Sequence, residues 1–306
     1  MHNAIAELVK RIGTVILGKT PEIHLVVTCL LARGHLLIED LPGMGKTTLA
    51  QAIARSLGMR FSRIQFTSDM LPADIIGVSV FDREKNEFHF HPGPLFAQLV
   101  VADELNRATP RTQSALLEAM EERQVSLEGT TRELPRPFFV IATQNQRYHV
   151  GTFPLPESQL DRFLMRLRLG YPDPPAERQL LTGENRADMV RRLQPVMTVD
   201  ELIQLQNAVP RIHVSTAILD YVQDIMAASR SRPQQCLGLS PRAGISLVRA
   251  AQAWALTEER DMVLPEDVQR VAGSVLEHRL NPEGGRQGDD ACSTWENLLR
   301  SIPLRR

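Results

Sequence analysis

Lys46 stands in the run "EDLPGMGKTT" (residues 39–48), behind Gly43 and Gly45 and ahead of Thr47. Those residue types at that spacing fit phosphate chemistry. Glycines can adopt backbone angles closed to other residues, which lets main-chain amides approach a ligand. Such amides and a helix N-terminus favour an anion. Lys46 can reach outer phosphates as a mobile point charge, and the Thr47 hydroxyl can ligate magnesium. The expected phosphate cradle is therefore Pro42, Gly43, Met44, Gly45, Lys46, Thr47 and Thr48. Only four of the 35 basic residues are lysines, so position 46 keeps a compact ammonium in a chain that otherwise uses arginine. The common pattern G-x-x-x-x-G-K-[ST] has glycine where this chain has Asp40.

A second constellation lies in "LVVADELNRATP", where an apolar run ends in Asp103 and Glu104. A carboxylate at the tip of a buried strand can hold magnesium through water. The next carboxylate can polarise an attacking water as a base. The bland account is a strand that ends in solvated acid. Two such motifs in this order, each at a strand end, weigh against it. "FFVIATQNQ" adds a third strand with Asn145 at its tip, placed to orient a lytic water or a terminal phosphate or simply to form a turn.

These residues need elements to hold them. Residues 3–12 and 21–32 have helical spacing, and Leu36–Ile38 is a short strand. A helix is expected from Gly45 to Leu57, because Leu49, Ile53 and Leu57 share a face. Further strands are expected at Phe61–Phe66, Leu99–Ala102, Phe138–Ala142 and Met165–Leu169. Strands alternating with helices predict a parallel α/β sheet. The run "GYPDPPAER" then marks a boundary near residue 172, and beyond it only helical periodicity continues, to Leu280. The expected organisation is an α/β domain over residues 1–171 and a helical lid domain with a C-terminal tail over 172–306. The last stretch opens as a polar, glycine-rich loop and ends in a short helix or a tail.

Two insertions read as hairpins. In the first, Ile76, Val78 and Val80 alternate with Gly77, Ser79 and Phe81, then "DREKNE" turns back towards Phe88 and Phe90. In the second, Val125 and Leu127 turn through Glu128 to Thr130 and return along Arg132 to Leu134. His89 and His91 share a face of the first hairpin, but no third metal ligand is near in sequence.

Formal charge is −1 at pH 7, so no general electrostatic grip on nucleic acid is indicated. The three cysteines, Cys29, Cys236 and Cys292, are far apart and lack metal spacing, which fits a reducing cytoplasm with Cys29 in a core helix. The apolar stretch "IHLVVTCLLARGHLLI" is broken by Arg33, Gly34 and His35, too short a run to span a bilayer. The N-terminus carries no signal-peptide pattern.

With three strand ends in this order, the sequence resembles an AAA+ ATPase, and more closely the MoxR family, in the group with an insert in its second helix. The resemblance runs from Val15 to Leu280. It is most specific in "EDLPGMGKT", "RIQFTSDMLPADIIG", "GPLFAQLVVADELNRATPRTQSALLEAMEERQVS", "IATQNQ", "LPESQLDRF" and "LSPRAG". Loops with acid at the position of Asp40 are familiar there. The resemblance implies a parallel-sheet P-loop core, a smaller C-terminal all-helical lid, and hydrolysis of ATP with Mg2+. It makes Lys46 and Thr47 the Walker A pair, Asp103 and Glu104 the Walker B pair, and Asn145 sensor 1. Arg162 looks like the arginine finger, reaching a neighbour's nucleotide with no evident use in its own subunit, and Arg242 matches sensor 2. "VILGK" (15–19) sits where family members contact adenine.

The resemblance further implies a ring, expected to be a hexamer, with both hairpins directed to its channel or face, and a separate partner carrying a von Willebrand factor A domain. The expected role is that of a chaperone or remodeller that matures or activates other complexes. A nucleic-acid motor or nucleotide-dependent regulator is the alternative, which Arg132 and Arg136 could serve as a local patch. A scaffold that hydrolyses nothing is a third option, opposed by Lys46, Asp103, Glu104 and Asn145.

Overall fold

The computed structural model describes residues 2–41, 43–127, 129–144, 151–231, 238–280 and 295–302. Pro42, Glu128, Asn145, Cys236 and Cys292 lie outside the described residues.

Helices α1 (His2–Gly13) and α2 (Thr20–Leu31) precede β1 (Leu36–Glu39) and α3 (Lys46–Ser56). Then come β2 (Phe61–Gln65), the short α4 (Pro72–Ile76) and a hairpin of β3 (Gly77–Asp82) and β4 (Glu87–Pro92). Next, β5 (Leu99–Asp103) leads to α5 (Pro110–Glu122) and a second hairpin, β6 (Gln124–Leu127) and β7 (Thr130–Glu133). The core closes with β8 (Phe139–Gln144), α6 (Glu157–Leu160) and β9 (Met165–Leu167). Beyond Leu167 the described residues form α7 (Pro174–Thr182), α8 (Arg186–Arg192), α9 (Val199–Ala208), α10 (Thr216–Arg230), α11 (Pro241–Thr257), α12 (Pro265–Leu280) and α13 (Trp295–Arg300). Every strand expected of the core is present. Ile76 is the exception in the first hairpin: it closes α4, because Asp74 caps that turn by accepting from the Leu71 amide at 2.7 Å. Among the described residues, the C-terminal stretch contains one short helix, α13.

The five core strands are parallel, in the order β2-β5-β8-β1-β9. Their side chains alternate between two faces, and both faces are covered, so the strands are apolar almost throughout. Leu36, Ile38, Leu99, Val101, Phe139 and Ile141 belong to one apolar cluster, while Leu37, Val100, Ala102, Val140 and Ala142 belong to the other. The first cluster continues into α11 and α12 through Ala250, Leu247, Val271 and Val275, so the helical part shares a core with the sheet. Several helix starts carry capping side chains. Thr198 and Glu201 form a reciprocal capping box on α9, and Ser240 caps α11 ahead of Pro241. Among the described residues, no helix is long and apolar enough to cross a membrane.

A buried histidine ties β8 to α5. The His35 Nδ1 accepts from the Val140 amide at 3.0 Å, so Nε2 carries the proton and donates to the Met120 carbonyl at 3.1 Å. Burial, the largest cause, pushes its pKa down to about 4. A histidine in an unfolded chain titrates near 6.5. Between those values the unfolded state holds more protons, so this contribution to stability is complete above about pH 6.5 and is lost as pH falls towards 4. His278, also held well below the ordinary value by burial first, acts in the same direction. Urea midpoints are therefore expected to be level above neutrality and to fall between pH 6.5 and pH 4. Midpoints that rise on acidification would refute this assignment.

Candidate functional site

The loop expected to cradle phosphate lies between β1 and α3. Gly43 and Gly45 have φ of 85° and 79°, the left-handed region that glycine adopts without cost. A Cβ on Gly43 would meet nothing within 4 Å, so the loop presents open backbone to a ligand. The first turn of α3 aims its free amides into the same space. Here a cleft of about 380 Å³ is lined by Gly43, Gly45, Lys46, Thr47, Thr48, Arg63, Gln65, Asp103 and Glu104. Met44 sits half-buried on the loop.

Asp40 has a structural task that explains an acid in place of glycine. One carboxylate oxygen accepts from the Leu41 amide at 2.8 Å and the other from the Gly170 amide at 2.6 Å. It thus anchors the loop entrance to the segment that follows β9. Lys46 donates to the Asp40 main-chain carbonyl at 2.8 Å. Burial lowers the Lys46 pKa, against the pull of the Asp40, Asp103 and Glu104 carboxylates.

Asp103 and Glu104 diverge at the end of β5. Asp103 Oδ1 accepts from the Thr143 hydroxyl at 2.6 Å, and Oδ2 takes Arg63 at 2.6 Å. Glu104 has φ of 56°, rare for a non-glycine residue, which swings its side chain out of the strand. Its Oε2 accepts from Gln65 Nε2 at 3.0 Å and pairs with Arg107 Nε at 3.0 Å. The Glu104 amide donates to Thr143 Oγ1 at 3.0 Å, so one threonine orients both acids. The "VILGK" segment lies close by: Ile16 Cδ1 would be 3.9 Å from a Cβ on Gly45.

The donor set fits a nucleoside triphosphate with a divalent cation: glycine amides and Lys46 for phosphate oxygens, a hydroxyl and a carboxylate for the metal. Thr47 and Asp103 are the residues that would hold Mg2+. Asp103 is here engaged by Arg63 and Thr143, so the Arg63 contact must loosen for direct ligation.

Arg63, Gln65 and Thr143 escaped the sequence reading. Gln65 lies opposite Asp103 in the β2–β5 register, and that pairing is what brings both side chains of β2 to the acids. The alternation of β2 offered a partial signal, since Arg63 and Gln65 share one of its faces.

Arg162 and Arg242 are not in this cleft. They line a second one, of about 210 Å³. Contrary to the expectation that Arg162 lacks a use in its own chain, its Nη1 lies 2.8 Å from Glu121 Oε2 and donates to the Leu117 carbonyl at 2.9 Å. Arg242, in the first turn of α11, pairs with Glu121 Oε1. Asp161, beside Arg162, accepts from Arg279 at 2.6 Å and from the Ser240 hydroxyl at 3.3 Å. Asn145 lies outside the described residues. On the first hairpin, His89 faces Glu87 at 2.9 Å.

A model of the ATPase family associated with various cellular activities (AAA) matches residues 35–165, and an AAA lid domain model matches residues 227–294. The chain is 43% identical over 306 residues to YeaC of Bacillus subtilis (strain 168), covering 99% of this chain and 96% of that protein. It is 40% identical over 290 residues to Chaperone MoxR1 of Mycobacterium tuberculosis (strain ATCC 25618 / H37Rv), covering 92% and 75%. A crystal structure of a candidate ATPase from Cytophaga hutchinsonii ATCC 33406 matches with a TM-score of 0.87 at 34% identity, over 100% of this chain and 96% of that one.

Proposed function

The chain belongs to the MoxR family of AAA+ ATPases, and from that premise we propose that it works as an ATP-driven chaperone or remodeller in a hexameric ring. As a member of this family it binds nucleotide and hydrolyses ATP. In the proposed scheme, Lys46 and the loop amides hold the β- and γ-phosphates. Glu104 draws a proton from the attacking water, and Gln65 and Thr143 keep Glu104 aimed at it. Asn145 orients that water or the γ-phosphate. Thr47 and Asp103 would hold Mg2+, which would neutralise phosphate charge when bound.

The observation that carries the shared-site reading is the position of Arg162 and Arg242. Both arginines converge in a cleft separate from the chain's own phosphate loop, as groups serving an adjoining subunit would. Arginine suits that work, since its planar fork donates several hydrogen bonds to a phosphoryl group. The division into an α/β domain to residue 171 and a helical domain from 172 is supported by β9, after which no strand follows among the described residues. The hairpins are proposed to face the ring channel or rim. The client is proposed to be a protein complex reached through a separate partner with a von Willebrand factor A domain, in the cytoplasm.

Light scattering at several protein concentrations, with and without ATP, tests the ring. The expected result is a larger species that forms or tightens with ATP. A monomer that hydrolyses ATP at full rate under every condition would exclude the shared site. DNA-stimulated turnover that weakens steeply with salt would instead favour a nucleic-acid motor.

A further inference from the structure

The cleft that holds Arg162 and Arg242 is overloaded with positive charge. Six arginines line it (Arg33, Arg123, Arg162, Arg242, Arg249 and Arg279), against two acids, Glu121 and Asp161. Asp161 is committed to Arg279 at 2.6 Å. Glu121 therefore meets the remaining charge almost alone, giving one carboxylate oxygen to Arg162 and the other to Arg242. The crowding has a second sign. The Arg123 guanidinium is held below the ordinary arginine value by burial first, then by Arg33 and Arg249 beside it. Arg242, Ile245, Ser246 and Arg249 come from one face of α11, whose N-terminal amides add to the positive potential.

We propose that this cleft is a phosphoryl-binding site whose occupant in the solitary chain is Glu121, a carboxylate that holds Arg162 and Arg242 together until a phosphate group displaces it. The proposal rests on the reading above that these arginines serve a neighbour's nucleotide, and it adds how they are kept in wait. Two guanidinium groups converging on one point repel each other, and a carboxylate between them offsets that repulsion. A phosphoryl group carries more charge and three acceptor oxygens, so it competes well for the same donors. Arg162 also donates to the Leu117 carbonyl at 2.9 Å, so it keeps a tie to α5 when Glu121 leaves. Glu121 is about one-third exposed at its side chain, on the surface of α5, and can rotate out towards solvent. A neighbour carrying ADP presents no γ-phosphate and leaves Glu121 in place. Glu121 is thus a positioning residue that makes engagement of both arginines depend on the nucleotide next door.

The test uses the solitary chain at concentrations where it does not assemble, so it is independent of whether rings form. In a Lys46→Ala background, which disables the chain's own phosphate loop, inorganic pyrophosphate is titrated by calorimetry. Glu121→Gln is expected to tighten pyrophosphate binding about tenfold, the order of effect of removing two partly exposed competing ion pairs. Adding Arg162→Ala should abolish that gain. Glu121→Asp, whose shorter side chain cannot span both arginines, should give a smaller gain and serves if the glutamine variant folds poorly. Unchanged or weaker binding in the Glu121 variants would overturn the proposal. So would binding indifferent to Arg162→Ala, or no measurable pyrophosphate binding in any variant. Failure here with intact ATP-dependent assembly would dismiss the role of Glu121 and leave the ring in place.

Discussion

Replacing Arg162 by alanine is expected to leave ATP binding near its unaltered level while slowing hydrolysis on the order of a thousandfold or more. The asymmetry follows from when the charge appears. A guanidinium supplied across an interface meets negative charge that grows towards the transition state, so its loss falls on turnover more than on affinity. The position of Arg162 supports this split, because it lines a cleft distinct from the one holding Lys46 and Asp103. Its truncation therefore removes nothing from the chain's own phosphate cradle. Glu121 keeps Arg242 as a partner in the variant, so no carboxylate is stranded. The decisive measurement is mixing. Subunits with Arg162→Ala and an intact phosphate loop are combined with subunits carrying Lys46→Ala and an intact Arg162. Each supplies what the other lacks, and activity should return. If mixed rings form and are no more active than the sum of the separate proteins, Arg162 is not the shared residue.

The second large effect separates binding from chemistry within one cleft. Lys46→Ala should weaken ATP binding at least about tenfold, as expected when a charge-assisted contact worth about 1.5–3 kcal/mol is removed. Lys46 is buried at the loop with its ammonium on the Asp40 carbonyl, a contact that alanine cannot replace. Glu104→Gln should bind ATP like the unaltered chain and lose turnover by about 10²–10⁴-fold, the range for a positioned general base. Glutamine keeps the shape of the side chain and can still meet Gln65, but it cannot take a proton. Titration of a fluorescent ATP analogue, alongside phosphate release, distinguishes the two variants. Wild-type affinity in Lys46→Ala would remove that residue from the phosphate site. Undiminished turnover in Glu104→Gln would remove Glu104 from the chemistry.

Much of the cleft was legible in the chain because its parts are local. Gly43, Gly45, Lys46 and Thr47 sit within five positions, and the chemistry of a strand-loop-helix turn is written in residue types at that spacing. The core strands were legible too, since a parallel sheet covered on both faces makes each strand a short apolar run bounded by turns. Asp103 and Glu104 announced themselves as acids at the end of such a run. Asp40 was visible only as a departure from the usual pattern. Its purpose, joining the Leu41 amide to the Gly170 amide, spans 130 positions and depends on β9 lying beside β1.

What the tertiary structure alone decided were the partners of those residues. Strand order set β5 between β2 and β8, and only that order brings Gln65 and Arg63 to one side of Asp103 and Thr143 to the other. Nothing in the local pattern of "RIQF" or "IATQ" encodes a hydrogen bond to a strand about forty residues away. The same holds for Glu121. In sequence it is one of many charged residues in an amphipathic helix. In space, α5, the turn after α6 and the start of α11 meet, and it becomes the carboxylate shared by Arg162 and Arg242. Periodicity and residue type specify what each element can do, because they act over a turn of helix or a few strand positions. Packing of two apolar faces specifies which elements meet, and in this protein that meeting set the long-range partners of Asp103, Glu104, Arg162 and Arg242.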